Sequence, residues 1–333
     1  MKLSILDQSP VVTGTSYEEA INRTLKLAQE ADKLGYHRFW VSEHHNTKSF
    51  ASASPEILLT RIASLTNNIR VGSGGVLLTH YSPLKVAEQF CMLENLFPGR
   101  IDLGIGRAGG GDAFTNRSLN PNMLNDDETF NKYNELISYL EQTTTLNKRV
   151  KAVPQINSIP ELWVLGTSPA SALYAAERGL PYSFGSFIND EQCINSMQMY
   201  HQKFTPSKYL AKPYVNHAVY VICAETNDDA IRISRSSELW FIKTFIRKED
   251  VPFPKFEEAV NTVYSPQEEM ALDFRRKGTI IGDTDKVKSD LEKLAEKLAV
   301  NEFTIVTITD RFEDRLTSYR LLATAFNLHK EEY

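Results

Sequence analysis

The groups through which this chain could do chemistry gather in a few short strings, each directly after an apolar run. Trp40-Val41-Ser42-Glu43-His44-His45-Asn46 carries two imidazoles, able to move protons or bind a metal. Adjacent residues at a strand end point in opposite directions, so His44 and His45 cannot easily share one ion, and no H-x-x-H partner is nearby. A histidine at the C-terminal end of a strand gains weight as an acid, a base or a ligand donor; the plainer reading is a satisfied structural imidazole. Glu43 either orients a histidine or anchors the loop.

Three more strings are built around glycine or hydroxyls. Gly104-Ile105-Gly106-Arg107-Ala108-Gly109 satisfies G-x-G-x-x-G after a strand, the fingerprint of a dinucleotide turn. Such a turn must open a helix, yet Gly110, Gly111, Asn116, Asn120 and Pro121 follow with no apolar helical period. The better account is that Gly104 and Gly106 leave room for a planar ligand while Arg107 offers a positive fork to a phosphate. In Val71-Gly72-Ser73-Gly74-Gly75-Val76 the two glycines fall inside a strand pattern, where a bulge, an unusual peptide or the close approach of a ligand would require them; a tight bend is equally compatible. Gly166-Thr167-Ser168-Pro169-Ala170-Ser171 is a hydroxyl-rich strand-to-helix turn, either a plain N-cap or an anion site that grips one phosphate together with Arg107. No Ser-His-Asp order, paired-carboxylate spacing or Walker loop is visible.

The elements that must position these strings alternate from the start. Leu3 to Asp7 reads as a strand, and Ser16-Tyr17-Glu18-Glu19 as a capping box opening a helix with Ile21, Leu25, Ala28, Ala31 and Leu34 on one face before Gly35. Arg38 to Val41 is a second strand, and Ser54-Pro55 opens a helix with Ile57, Leu58, Ile62 and Leu65 apolar. Further strands are expected at Ile69 to Gly72, Ile101 to Ile105, Leu162 to Leu165, Tyr182 to Phe184, Val215 to Cys223 and Phe303 to Ile308. Helices are expected from Ser82-Pro83 to Leu96, around Glu128 to Leu140, after Ser168-Pro169, from Asp228, near Asp285, and from about Phe312 to Phe326. Gly109 to Pro121 reads as a long functional loop. Eight strands without a composition break favour one domain over residues 1–333, a (β/α)8 TIM barrel, in preference to a doubly wound sheet. Residues 240 to 280, with Pro252, Pro254 and Pro266, form an extra segment after the seventh strand, placed to act as a lid.

Composition restricts the partners. With 42% hydrophobic and 24% charged residues the chain is a soluble globular type, and a formal net charge of −5 gives no footprint for nucleic acid. No apolar stretch is long enough for a membrane, and Met1 to Asp7 is too short and too soon acidic for a signal peptide, so a cytoplasmic location is expected. Cys91, Cys193 and Cys223 lack C-x-x-C spacing and suggest neither a disulfide framework nor a zinc site; no metal is expected.

Taken in order, the strings Leu6-Asp7-Gln8-Ser9-Pro10, Trp40 to Asn46, Val71 to Leu78, His80 to Phe90, Pro98 to Arg107 and Arg315 to Leu322 resemble the bacterial luciferase-like monooxygenases, flavin-dependent TIM-barrel enzymes, in particular their small single-chain bacterial members. The resemblance implies FMN as cofactor, with a deazaflavin the lesser alternative. It implies that Ser73, Gly74 and Gly75 bind the cofactor, with a non-proline cis peptide at Gly74-Gly75 under the flavin ring. Arg107 matches the arginine that binds the flavin phosphate, and Gly166, Thr167, Ser168 and Ser171 match the turn that shares it. His44 matches the active-site histidine, with a role in proton transfer or in stabilising the reactive oxygen group. A separate flavin reductase, a small organic substrate and a homodimer are implied as partners. A deazaflavin- or NAD(P)H-linked dehydrogenase on the same fold and a non-catalytic flavin-binding protein are the alternatives. Two departures stand out: the reactive cysteine of the luciferases is replaced by Gly106, and residues 240 to 280 match least, so no substrate carries over.

Overall fold

In the computed structural model, which describes residues 1–122, 125–143, 149–188 and 190–328, strands and helices alternate from the first residue. The strands are β1 (Lys2–Asp7), β2 (Arg38–Val41), β3 (Arg70–Leu77), β4 (Ile101–Gly106), β5 (Glu161–Gly166), β6 (Tyr182–Gly185), β7 (Val215–Ala224), β8 (Thr279–Asp283) and β9 (Glu302–Val306). Helices α1 (Tyr17–Leu34), α2 (Pro55–Leu65), α3 (Pro83–Leu96), α4 (Ala113–Leu119), α5 (Asp126–Leu140), α6 (Pro169–Glu177) and α7 (Cys193–Lys203) fill the connections up to β7. After it come α8 (Asn227–Phe241), a π-helical turn over Ile242–Ile246, α9 (Phe256–Asn261), α10 (Pro266–Lys277), α11 (Thr284–Leu298) and α12 (Phe312–Ala325).

Eight strands run in the order β6-β5-β4-β3-β2-β1-β9-β7, all parallel, and pairing of β6 with β7 closes the ring. The expected barrel is therefore present, with a ninth strand outside it. β7 is ten residues long: Asn216 to Tyr220 pair with β9, and Tyr220 to Ala224 pair with β8. Sequence reading missed β8 because it is five residues long, mostly half-buried, and runs directly into the Asp283 N-cap of α11. The loop expected from Gly109 to Pro121 contains α4, a seven-residue helix with no buried residue, so no apolar period could disclose it.

Packing follows the alternation of strand side chains. One face of each strand packs on the helices, where Leu3, Ile5, Phe39, Val41, Val71, Ile101 and Phe303 meet α1, α2 and α3 residues such as Leu27, Leu59 and Phe90. The α2 contribution is Leu59, Ile62 and Ala63, while Ile57 is 69% exposed. The other face fills the barrel with Leu6, Trp40, Trp163, Tyr220, Ile222 and Val306. At the N-terminal end this interior is polar: Arg38 pairs with Asp102 and Glu302, each at 2.8 Å, and all three are sealed from water. Among the described residues no helix is long and apolar enough to cross a membrane.

Candidate active site

Because the barrel strands are parallel, their C-terminal ends open on one mouth. His44 follows β2, the diglycine lies in the C-terminal half of β3, Arg107 follows β4, and Gly166-Thr167-Ser168 end β5 and cap α6. These are four neighbouring strands, so the structure brings the predicted residues onto one half of the rim.

His44 is half-buried and held from two sides. Its Nδ1 lies 3.0 Å from Ser42 Oγ and its Nε2 lies 3.5 Å from Gln8 Nε2, while its ring packs 4.5 Å from that of Phe50. Burial, helped by the neighbouring His45, lowers its pKa to about 4, so the ring is neutral at neutral pH. With Gln8 donating to Nε2, the proton sits on Nδ1 and is donated to Ser42.

Glu43 points elsewhere. Its Oε1 accepts from Tyr81 Oη at 2.6 Å and from His45 Nε2 at 2.8 Å, and its Oε2 accepts from Leu77 N–H at 2.9 Å. It therefore both fixes a histidine and anchors the end of β3, and the histidine is His45. Burial and the Glu43 carboxylate push the Tyr81 phenol up, which keeps it protonated as a donor.

The Gly74-Gly75 peptide is cis, within β3 itself, where the β3–β4 register shifts between Ser73 and Val76. A Cβ on Gly74 would lie 2.7 Å from Leu6 Cδ1 and 3.1 Å from Trp40 Cβ, and one on Gly75 would lie 2.8 Å from Gly104 O. Glycine is needed at both because the segment lies directly on the barrel interior and on β4. The Ser73 hydroxyl is sealed and occupied: it donates to Gly104 O at 2.9 Å and accepts from Gly104 N–H at 3.1 Å.

Arg107 and Ser168 meet, as their predicted joint role requires: Arg107 Nη2 donates to Ser168 Oγ at 2.8 Å, and the guanidinium lies 4.9 Å from the Phe130 ring centre. Nη1 is buried and ion-paired with Asp126 at 2.6 Å, with no further partner among the described residues. Ser168 caps α6, whose first-turn N–H groups point toward the same place. Ser171 is buried, its hydroxyl donating to Ser168 O at 2.8 Å, and Gly166 leaves the room that Ser171 Oγ fills, 2.2 Å from an added Cβ. Gly166, Thr167 and Ser168 stay half-buried at the rim. A guanidinium beside a capped helix N-terminus, next to a side-chain-free strip, fits a flat ligand with a phosphate tail.

Residues 240 to 253 pack against the loops after β1 and β2 beside His44. Trp240 Nε1 donates to Ser49 Oγ at 2.9 Å, Ser49 Oγ donates to Val251 O at 2.7 Å, and Phe253 N–H donates to Val11 O at 2.7 Å. Phe50, Trp240 and Phe253 form a continuous aromatic roof, with ring separations of 5.6 and 5.1 Å. Sequence reasoning assigned no role to Gln8, Phe50, Tyr81 or Trp240. Gln8 directly follows a strand end, a signal available in the sequence; Tyr81 follows a 3-10 turn beyond β3, Phe50 comes from a loop and Trp240 from the end of α8, with no such marker.

Cys193, Asp190 and His217 lie elsewhere, with one candidate ligand atom from each within 4.8 Å of the others. Burial pushes the Cys193 thiol up to about 12 and His217 down to about 4, so a protonated thiol faces a neutral ring. His217 stacks on Phe184 in the outer core.

Comparison with known proteins gives the same architecture. The family model described as luciferase-like monooxygenase matches residues 1–302. The N-acetyl-S-alkylcysteine monooxygenase of Bacillus subtilis is 34% identical over 333 residues, covering 98% of each chain. The crystal structure of apo-MsnO8 superposes with a TM-score of 0.92 at 38% identity, covering 99% of both chains. At the level of fold alone, similarity extends to the oxygenating constituent of 3,6-diketocamphane monooxygenase from Pseudomonas putida in complex with FMN (TM-score 0.73, 18% identity, 98% of each chain). It extends likewise to an F420-dependent secondary alcohol dehydrogenase (TM-score 0.70, 14% identity, 97% of this chain and 98% of that one).

Proposed function

We propose, from the premise that this chain belongs to the luciferase-like monooxygenase family, that it is an FMN-dependent enzyme which receives reduced FMN from a separate reductase and oxidises a small organic substrate with molecular oxygen. Family membership makes it an oxidoreductase of monooxygenase type; the cofactor, the co-reactants and the residue roles are our reading. The observation that carries it is the Arg107–Ser168 pair at the N-terminus of α6, on the same rim as the diglycine and His44.

When bound, the flavin supplies the redox chemistry with oxygen. Arg107, Ser168 and the first-turn N–H groups of α6 bind the phosphate, and Thr167 and Gly166 border it. The side-chain-free Gly74-Gly75 strip supports the ring. Ser73 and Ser171 act by fixing that strip and the α6 cap, since their hydroxyls are already bonded to protein. His44 is the proton-handling group: with Nδ1 held by Ser42, Nε2 beside Gln8 is the atom at which a proton is taken up or released. The aromatic roof keeps water from the reacting atoms. That apolar wall suits a small organic molecule, in keeping with the substrate named for the Bacillus subtilis relative.

Titrating the protein with FMN and with riboflavin tests the phosphate assignment. Arg107→Ala should weaken FMN binding by about tenfold or more, the size of a lost charge-assisted contact, and leave riboflavin unchanged. Equal losses for the two ligands, or none, would remove Arg107 from the phosphate site. Binding of a deazaflavin in place of FMN would move the assignment to the dehydrogenase class. Oxygen uptake with reduced FMN that is indifferent to His44→Ala would favour a flavin-binding protein without turnover.

A further inference from the structure

Arg275, in the last turn of α10, is a charged group that the proposed chemistry leaves unused. Its Nη1 donates to Ser237 O on α8 at 2.5 Å, and its guanidinium lies 4.9 Å from the Phe241 ring centre and 5.4 Å from that of Tyr220. Among the described residues no carboxylate pairs with it. Glu238, the nearest acid on α8, is taken by Arg276 at 2.7 Å and Arg235 at 3.3 Å. Nε and Nη2 of Arg275 make no hydrogen bond to the described residues, yet neither is sealed from solvent, although protein encloses the group and burial lowers its pKa. Arginine does not escape the cost of enclosure by losing its proton, so such a group favours an anion.

The surroundings specify the rest of that anion. Tyr220 belongs to the apolar cluster that fills the barrel with Leu6, Trp40 and Trp163 and continues through Phe253 and Trp240 to Phe50, whose ring touches His44. One apolar cluster therefore links the Tyr220 ring, against which Arg275 lies, to Phe50 and the proton-handling histidine. The Nε–Nη2 edge matches a planar carboxylate in a two-bond fork, and since the close partners Glu238 and Asp273 offset two of the three cations Arg235, Arg275 and Arg276, a single negative charge is what the site balances.

We propose that Arg275 sets substrate specificity by receiving the carboxylate of an amphiphilic monoanion whose apolar part lies along this cluster toward His44. This rests on the reading of the mouth as the reaction site. The test uses octanoate and its uncharged counterpart octanamide as probes, each titrated into the full-length protein at neutral pH and followed by tryptophan fluorescence. Octanoate should bind about tenfold or more tightly than octanamide. Arg275→Gln should abolish the preference with its thermal transition retained, Arg275→Lys should restore part of it, and Arg107→Gln should leave it intact. Equal binding of the two probes by the unaltered protein overturns the proposal whatever the variants do, which keeps it testable should Arg275→Gln fail to fold. A preference that survives Arg275→Gln, or is lost in Arg107→Gln, also overturns it. The FMN titration separates the two claims: FMN bound without a carboxylate preference removes Arg275 from recognition and leaves the proposed function, whereas a preference without flavin binding removes that function.

Discussion

His44 rests against Phe50 with Nδ1 on Ser42, and burial keeps its ring neutral down to about pH 4. If the neutral ring is the working form, substrate-dependent oxygen uptake should stay level from neutral pH to about pH 5 and fall only as pH approaches 4; an acidic limb centred near 6.5, the ordinary histidine value, would contradict that. His217 makes a separate prediction about stability. Its pKa, lowered to about 4 by burial, lies below the unfolded value of about 6.5, so the unfolded chain takes up the proton first as pH falls. The stabilisation from keeping this ring neutral is full above about pH 6.5 and is lost as pH drops toward 4, by about 3 kcal/mol for a shift of this size. Thermal unfolding followed across that range should show a smaller acid loss in His217→Phe, which keeps a flat ring between Phe184 and Phe303. An unchanged loss would assign the acid sensitivity to other groups.

At the scale of elements, the insertion after β7 is fixed to the β1 and β2 loops through Ser49, Val11 and Trp240. Trp240→Ala removes both the hydrogen bond to Ser49 and the ring between Phe50 and Phe253, and should destabilise the protein by about 2 kcal/mol, less than for a fully buried tryptophan. Hydrogen exchange should rise locally over residues 240–253, and a uniform rise over the whole barrel would show that the insertion is not a separable unit. The elements carrying the site were legible because each announces itself locally: Ser168-Pro169 starts α6, Ser82-Pro83 starts α3, and the apolar runs of β2, β4 and β5 stop at polar clusters. The failures had the opposite character. α4 buries nothing, β8 is short and half-exposed, and Ile57 on α2 faces outward although its apolar type suggests the core. Periodicity reports burial, and these residues have little.

At the scale of the whole molecule, a buried polar cluster ties strands together at the N-terminal end of the barrel. Asp102 accepts from Arg38 and from Trp40 Nε1 at 2.9 Å and pairs with Arg70 at 2.6 Å; Glu302 accepts from Arg38, Ser4, Asn216 and Tyr214. Arg38→Met would leave two sealed carboxylates without their central cation and should cost about 3–5 kcal/mol. Chemical denaturation would measure this, and a loss under about 1 kcal/mol would mean that the remaining donors suffice. The homodimer implied by the resemblance has a candidate face in Ile57 on α2 and Met92 and Leu96 on α3, which are 69%, 50% and 54% exposed. Replacing Ile57 and Met92 with glutamate should convert a dimer to monomer in sedimentation, with the barrel still folded; a dimer unaffected by both changes would place the contact elsewhere.

The amino-acid sequence by itself determined the alternation of strands and helices, the barrel they close into, and the order of His44, the diglycine, Arg107 and Ser168 along strand ends, because capping, periodicity and strand-end position are local properties of the chain. Only the tertiary structure decided that Arg107 bonds Ser168, that Glu43 serves His45 and the end of β3 instead of His44, that Trp240 packs between Phe50 and Phe253, and that Arg275 is enclosed with no carboxylate paired to it among the described residues. All but the Glu43–His45 pair join residues well separated along the chain, and their strength depends on distance and burial, which no stretch of sequence encodes until the barrel has closed.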